Sequence, residues 1–190
     1  MGRWEPNPRE RLMRAALDLF VEHGYDSTTV AEIAERAGLT KRTFFRHFAD
    51  KREVLFSGQE LLSRLLTDAI IGAPGSASPL DAIGAALEAL SVAFGPERRE
   101  WVRQRQSVVE AHTDLREREL LKSTTLTAAM ADALRNRGVE DLVANLAAEI
   151  GSVAWRTAFA RWVDPANEQG FAELARQTLD ELRKATEALN

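Results

Sequence analysis

Between Thr28 and Phe48 the sequence reads TTVAEIAERAGLTKRTFFRHF, and this stretch leaves the chain little choice of fold. Thr29 followed by Glu32 has the pattern of a capping box, in which the hydroxyl takes an orphan helix amide and the carboxylate reaches back to the amide of the cap. Val30, Ile33, Ala34 and Ala37 then recur at helical spacing, so one face of this helix is apolar and must be covered. Gly38 can take the left-handed conformation that ends a helix, with Leu39 folding back as the hydrophobic contact. Thr40 caps a second short helix, from Lys41 to about His47, and Phe44 and Phe48 point inward together four residues apart. Two short helices joined by a tight glycine-containing turn make a helix-turn-helix, whose second helix can lie in a DNA major groove. Lys41, Arg42, Thr43, Phe45 and Arg46 are left to spread over the other faces.

The flanking sequence completes this unit. Asn7-Pro8 starts a first helix, with Asn as cap and Pro in the first turn. Leu12, Ala15, Ala16, Leu19 and Phe20 form its buried stripe, and Gly24-Tyr25 ends it by the glycine-plus-hydrophobe device used again at Gly38-Leu39. Asp50 caps a fourth helix, which is expected to continue to about Ile71. GAPGSASP, residues 72–79, is a loop by composition. Helices follow over about 80–94, 97–111, 115–137, 140–163 and 168–189, interrupted at Gly95-Pro96, Gly138-Val139 and Asp164-Pro165. No stretch alternates with period two over strand length. The expected fold is all-α with about nine helices. A three-helix DNA-binding domain over residues 1–56 precedes a larger helical ligand-binding and dimerisation domain over 57–190.

Charge distribution says more than its sum. The net charge of −4 argues against a protein that binds nucleic acid all over. Residues 1–56 carry 10 Lys and Arg against 9 Asp and Glu, and the remainder 15 against 20. Within Thr40–Arg52 the one acid is Asp50, against Lys41, Arg42, Arg46, Lys51 and Arg52. A local basic patch on an acidic body suits a protein that touches DNA with one end. With no cysteine there is neither a disulfide framework nor a thiolate metal site. His23, His47 and His112 lack a metal-ligand spacing, so no metal and no cofactor is expected. No apolar run approaches the roughly 20 residues of a membrane span, and MGRWEPNPRERL lacks the apolar centre of a signal peptide. The expected location is the cytoplasm. There is no Gly-rich phosphate loop, HExxH or nucleophile elbow, so the chain is not expected to be an enzyme.

The run RERLMRAALDLFVEHGYDSTTVAEIAERAGLTKRTFFRHFADKREVL resembles the DNA-binding region of the TetR (tetracycline-repressor-like) family of bacterial transcription regulators. The likeness covers about Arg9 to Phe56 and is densest at Gly38-Leu39-Thr40, Thr43-Phe44-Phe45-Arg46-His47-Phe48 and Lys51. The family usually has tyrosines where this chain has Phe45 and Arg46: one phosphate-touching hydroxyl is lost, and the arginine can replace the other with a charged contact. The resemblance implies a homodimeric repressor that binds a palindromic double-stranded operator and is released by a small, largely apolar effector.

Roles in the DNA site follow from chemistry. Thr29 offers its hydroxyl and neighbouring amides to a phosphate. Lys41 and Arg42 stand at the start of the recognition helix, where Arg42 can pair with guanine O6 and N7. Thr43 can meet a thymine methyl, and Phe45 a sugar or a methyl. Arg46, His47 and Lys51 are placed to hold phosphates and so to set register, although His47 equally suits a bond within the domain. Lys51 at a helix N-terminus is disfavoured by the dipole, and a bound phosphate reverses that penalty. Arg3 and Trp4 either reach a minor groove or form a loose arm.

In the second domain, Leu142 to Val163 is apolar nearly all round, which buries a helix on more than one side. That predicts a four-helix dimer interface from the last two helices, using Ile150, Ala154, Ala158, Trp162, Phe171, Leu174 and Leu182. A central helix of a monomer core is the alternative. The ligand pocket that the resemblance implies draws on Phe94, Trp101, Met130, Trp155 and Phe159 for apolar lining and on Gln104, Arg105 and His112 for polar anchors. Core packing is the plainer reading of each. A helix-turn-helix regulator without a ligand, and an all-helical enzyme, are the rival functions.

Overall fold

The computed structural model describes residues 7–188, and the regular structure among them is entirely helical. Arg3, Trp4 and Leu189 lie outside the described residues. In chain order the helices are α1 (Pro8–His23), α2 (Val30–Arg36), α3 (Lys41–His47), α4 (Lys51–Phe56), α5 (Gln59–Gly72), α6 (Pro79–Ala89), α7 (Arg99–Ala111), α8 (Thr113–Asn136), α9 (Asp141–Val163) and α10 (Phe171–Glu187). Two short 3-10 turns, Leu90–Ala93 and Pro96–Arg98, lie between α6 and α7. Where the sequence predicts one helix from Asp50 to about Ile71, the structure has two. They part at Ser57 and Gly58, whose backbone angles stay near helical.

The chain forms two compact units. The first takes the residues up to Ser57 together with Trp101–Glu119, and the second takes Gly58–Glu100 and the residues from Leu120 on. Helices α7 and α8 therefore each contribute residues to both.

In the first unit α1 begins where the Asn7 side chain accepts the Arg9 amide at 3.1 Å. It ends at Gly24, whose φ of 86° is open to glycine without a Cβ penalty. Leu12, Leu17, Phe20, Ile33, Phe44, Val54 and Leu55 are buried in one core, and Val108, Val109 and Leu115 of α7 and α8 join it.

The second unit is organised by α9. Its small residues Ala144, Ala147, Ala148, Gly151, Ala154 and Ala158 are all buried, and they let α6 and α10 approach closely within the protomer. A Cβ on Gly151 would lie 2.8 Å from Ile83 Cγ2, so the crossing with α6 admits glycine only. At the end of α9, Trp155, Phe159 and Trp162 gather around Phe94 and Phe171, with Phe94 5.0–5.9 Å from each of the other four rings. Two arginines satisfy helix and loop carbonyls. Arg137 donates to the carbonyls of Ile70, Ala73 and Pro74 at the end of α5. Arg99 donates to those of Asn167 and Gln169 and lies over the Trp162 ring.

Candidate nucleic-acid interface

Both arms of the capping box form at the start of α2. Thr29 N donates to Glu32 Oε2 at 2.7 Å, and Glu32 N to Thr29 Oγ1 at 3.3 Å. The Thr29 hydroxyl also donates to the same carboxylate. The Thr29 backbone N–H, and then its hydroxyl, hold the Glu32 carboxyl below its usual range. Below the cap, buried Thr28 donates its hydroxyl to Gly24 O at 2.8 Å, which ties the α1–α2 turn to the end of α1.

The turn between α2 and α3 is equally determined. Gly38 N donates to Glu35 O at 2.9 Å and Leu39 N to Ala34 O at 2.8 Å, the pair of bonds of a Schellman ending. Gly38 has φ 64°, and a Cβ there would lie 2.8 Å from the Arg11 guanidinium. That guanidinium donates to Ala37 O, giving α2 a cationic C-cap. Thr40 Oγ1 accepts the Thr43 amide at 3.1 Å and starts α3. Phe44 and Phe48 are buried with ring centroids 5.5 Å apart, which fixes the rotation of α3 about its axis.

That rotation decides what α3 presents. Lys41, Arg42, Phe45 and Arg46 are exposed. The three cations make no hydrogen bond or ion pair with another described residue. Thr43 is half-buried, its hydroxyl 3.1 Å from that of Thr40. His47 is half-buried as well, and its Nε2 is buried without a partner among the described residues.

Lys51 is placed differently. Its Nζ donates to the carbonyls of Tyr25 at 2.7 Å, Thr28 at 3.1 Å and Asp26 at 3.2 Å, and lies 4.4 Å from the centre of the Tyr25 ring. An ammonium has three donors, and all three hold the α1–α2 turn. Asp50 caps α4 by accepting from Arg52 N and Glu53 N, and its second oxygen takes the Arg52 guanidinium at 2.7 Å. Of the five cations between Thr40 and Arg52, two are tied down and three have no partner among the described residues.

Four residues that the sequence assigns to the pocket lie in the first unit. Trp101 packs partly buried against its core. Arg105 donates Nε to Leu55 O at 2.9 Å, grips Glu119 with both terminal nitrogens and stacks 5.0 Å over Phe56. Beside it Arg118 pairs with Glu53. His112 donates Nδ1–H to Val108 O at 2.8 Å, packs 5.1 Å from the Tyr25 ring and brings Nε2 to 3.8 Å from the Asp26 carboxylate. Gln104 is half-buried in the same segment. The charge alternation of LREREL suggests a solvated helix face. The arginine-to-acid pairs that cross between elements, 14 residues apart at Arg105–Glu119 and farther at Arg118–Glu53, leave no periodic signal.

The other four pocket residues lie in the second unit. Met130 and Trp155 line a cleft with Leu62, Leu66, Leu87, Leu90, Ser123, Leu126, Thr127 and Ser152. Its water-accessible volume, about 10 Å³, has room for roughly one water. No charged side chain lines it. Phe94 and Phe159 belong to the aromatic cluster that Trp155 shares. Of the residues predicted for a subunit interface, Ala154, Ala158, Trp162, Phe171 and Leu174 are buried inside the protomer, while Ile150 and Leu182 are half-buried. The apolar seam that α9 does expose is another one: Val143, Leu146 (61% exposed) and Val153, with Leu142 (72% exposed) beside it.

Residues 12–57 match the model of the family described as bacterial regulatory proteins, tetR family. The chain is 40% identical over 82 residues to the HTH-type transcriptional regulator TcmR of Streptomyces glaucescens. That match takes in 43% of this chain and spans 36% of the relative's length. Among solved structures, SmeT, the repressor of the Stenotrophomonas maltophilia multidrug efflux pump SmeDEF, is similar with a TM-score of 0.57 at 21% identity, covering 95% of this chain and 90% of that one. A transcriptional regulator from Aquifex aeolicus VF5 gives a TM-score of 0.56 at 18% identity, covering 94% and 99%. At these identities the structural likeness is one of fold.

Proposed function

We infer that this chain, which belongs to the tetR family of bacterial regulatory proteins, is a DNA-binding transcription regulator that represses by occupying a palindromic operator as a homodimer. The observation that carries the reading is the outward face of α3. Lys41, Arg42 and Arg46 stand exposed, without a partner among the described residues, on a helix whose opposite face is pinned by Phe44, Phe48 and the Thr40 cap. Because the helix itself is already fixed, binding a polyanion has only these side chains to order, and their charges are not shared with a partner in the fold. Lys41 and Arg42, in the first turn, read base edges, with Arg42 suited to guanine. Arg46 holds a phosphate. Thr43 and His47 flank the same face. Thr29 and Lys51 support it from behind, one as cap of α2 and the other as the post of the α1–α2 turn.

A short recognition helix reads few base pairs, and a two-fold dimer doubles the readout. The exposed seam of α9 supplies the self-complementary surface. Val143, Leu146, Ile150, Val153, Thr157 and Ala160 follow the alternating three-four spacing of a helix pair. The effector site is the uncharged cleft lined by Met130 and Trp155, which suits a small, largely apolar molecule. Ser123, Leu126, Thr127 and Met130 of this cleft lie on α8, and so do Leu115, Arg118 and Glu119 of the first unit. A ligand that opens the cleft moves a helix whose other end packs with α4. The two recognition helices must meet successive major grooves about 34 Å apart, and a dimer held at another spacing loses its second half-site.

Selection of random DNA fragments by the purified protein at two salt concentrations tests this. A palindrome whose affinity falls steeply with salt is the expected outcome. Weak, sequence-blind binding at both concentrations would overturn it.

A further inference from the structure

Phe45 is the one aromatic side chain more than about a third exposed among the described residues, at 57%. It is also oriented. Its ring meets that of Phe44 edge to face, with centroids 5.5 Å apart and planes at 82°, and Phe44 itself is fully buried. At about 100° per residue, Phe45 lies one turn beyond Lys41 and falls between Lys41 and Arg42 around the helix, roughly 40° from the first and 60° from the second, with Arg46 about 100° further round. An apolar ring left in water at such a place is stabilised only by a partner that covers it. The cations on either side select a polyanion as that partner.

Double-stranded DNA offers few apolar groups to a helix in its major groove. The thymine C5-methyl projects from the base edge beside the acceptors that a neighbouring arginine reads, while the sugar faces lie on the rim with the phosphates. Phe45 shares its face with the base-reading Lys41 and Arg42. Having no hydroxyl, it gives a phosphate nothing. We propose that Phe45 reads the methyl group of a thymine in each half-site, and so makes this regulator sensitive to a single methyl at a fixed position of its operator. The assignment rests on α3 being the recognition helix.

Methyl deletion on the DNA tests it. An operator recovered by selection is resynthesised with deoxyuridine replacing one thymine per half-site in turn, and binding is measured by fluorescence anisotropy. At one position the replacement weakens the wild-type protein by about four-fold per half-site, the worth of one buried methyl group. 5-Bromodeoxyuridine, whose bromine fills the methyl's place, restores it. Phe45→Ala binds the thymine operator as weakly as the wild type binds the deoxyuridine one and no longer distinguishes the two. Phe45→Leu, which keeps an apolar contact, retains part of the discrimination. Melting curves for both variants are expected to match wild type, because the ring is exposed.

Three results would overturn the proposal. The first is that no thymine position shows a methyl effect. The second is that Phe45→Ala keeps both the wild-type affinity and the methyl effect, which gives the methyl to another residue such as Thr43. The third is that Phe45→Ala weakens binding equally with either base, which places the ring on a sugar. A protein that selects no sequence at all removes the recognition-helix reading itself, a distinct failure.

Discussion

Helices α3 and α9 each bury one face and expose the other, and the two exposed faces differ in kind. In α3 the buried face is two phenylalanines and the exposed face is three unpaired cations around a phenylalanine. In α9 the buried face is a run of alanines and a glycine ending at Trp162, and the exposed face is a second apolar seam from Leu142 to Val153. The buried faces do the same work of fixing a helix in its unit. Under the proposed function the two exposed faces select different partners: a polyanion in one case and a copy of the same surface in the other.

The sharpest way to break this division is to mutate both faces of α9. Trp162 is fully buried among Phe94, Phe159, Phe171 and the Arg99 guanidinium. Trp162→Ala is expected to cost the protomer about 3–5 kcal/mol by loss of burial and cavity formation, read from urea unfolding monitored by far-UV circular dichroism. Leu146→Asp changes an exposed position and should shift that curve by at most about 0.5 kcal/mol. In a two-fold interface the aspartate occurs twice, so sedimentation should give a monomer at micromolar protein. If Trp162→Ala instead gave a stable monomer, the two faces of α9 would have been assigned the wrong way round.

The same contrast runs through the cations of the first unit. Lys51 supports the fold from inside, so Lys51→Met strips three carbonyls of their donor and is expected to cost about 2–3 kcal/mol. The single tyrosine of the chain reports on this post. Burial, and next the nearby Asp114 charge, push the Tyr25 phenol from 10.0 up to about 12. A raised phenol contributes stability that is fully present below pH 10 and is lost as the pH climbs to 12. The tyrosinate absorbance of the folded protein should therefore titrate near the upper value. In Lys51→Met the midpoint should fall back toward the lower one as the α1–α2 turn opens to water. An unchanged midpoint would mean that the turn stands without Lys51.

How much of this the sequence carries depends on how local the determinant is. Thr29, Glu32, Gly38, Leu39 and Thr40 act on neighbours within five residues. Their capping box, Schellman ending and N-cap are readable one by one, and the structure has each of them. The split at Ser57-Gly58 escapes a periodicity argument because both residues keep near-helical angles. The two seams of α9 are both legible as apolar positions. Which of them faces inward is settled by Gly151 meeting Ile83, 68 positions away in the chain, and no local pattern holds that information. The posts are hardest to read. Lys51 beside Asp50, and Arg105 in a charged run, look like solvated residues until the carbonyls of Tyr25 and Leu55 are brought to them.

Arg46 carries the smallest effect and makes the finest cut, because it differs from Lys51 in fate and not in charge. Exposed and unpaired, it adds nothing to the fold, so Arg46→Ala should melt within about 0.5 kcal/mol of wild type. The proposed function puts its work on the phosphate backbone, where each neutralised phosphate contributes about 0.9 to the slope of log affinity against log salt. In a dimer the loss occurs twice, so the slope should become shallower by about 2. Affinity should fall by a similar factor for every operator variant, since a phosphate contact sets register and carries no sequence. An Arg46→Ala protein that keeps the wild-type slope and changes its base preference would move Arg46 from the backbone to a base edge. The base-reading surface would then extend across the whole exposed side of α3.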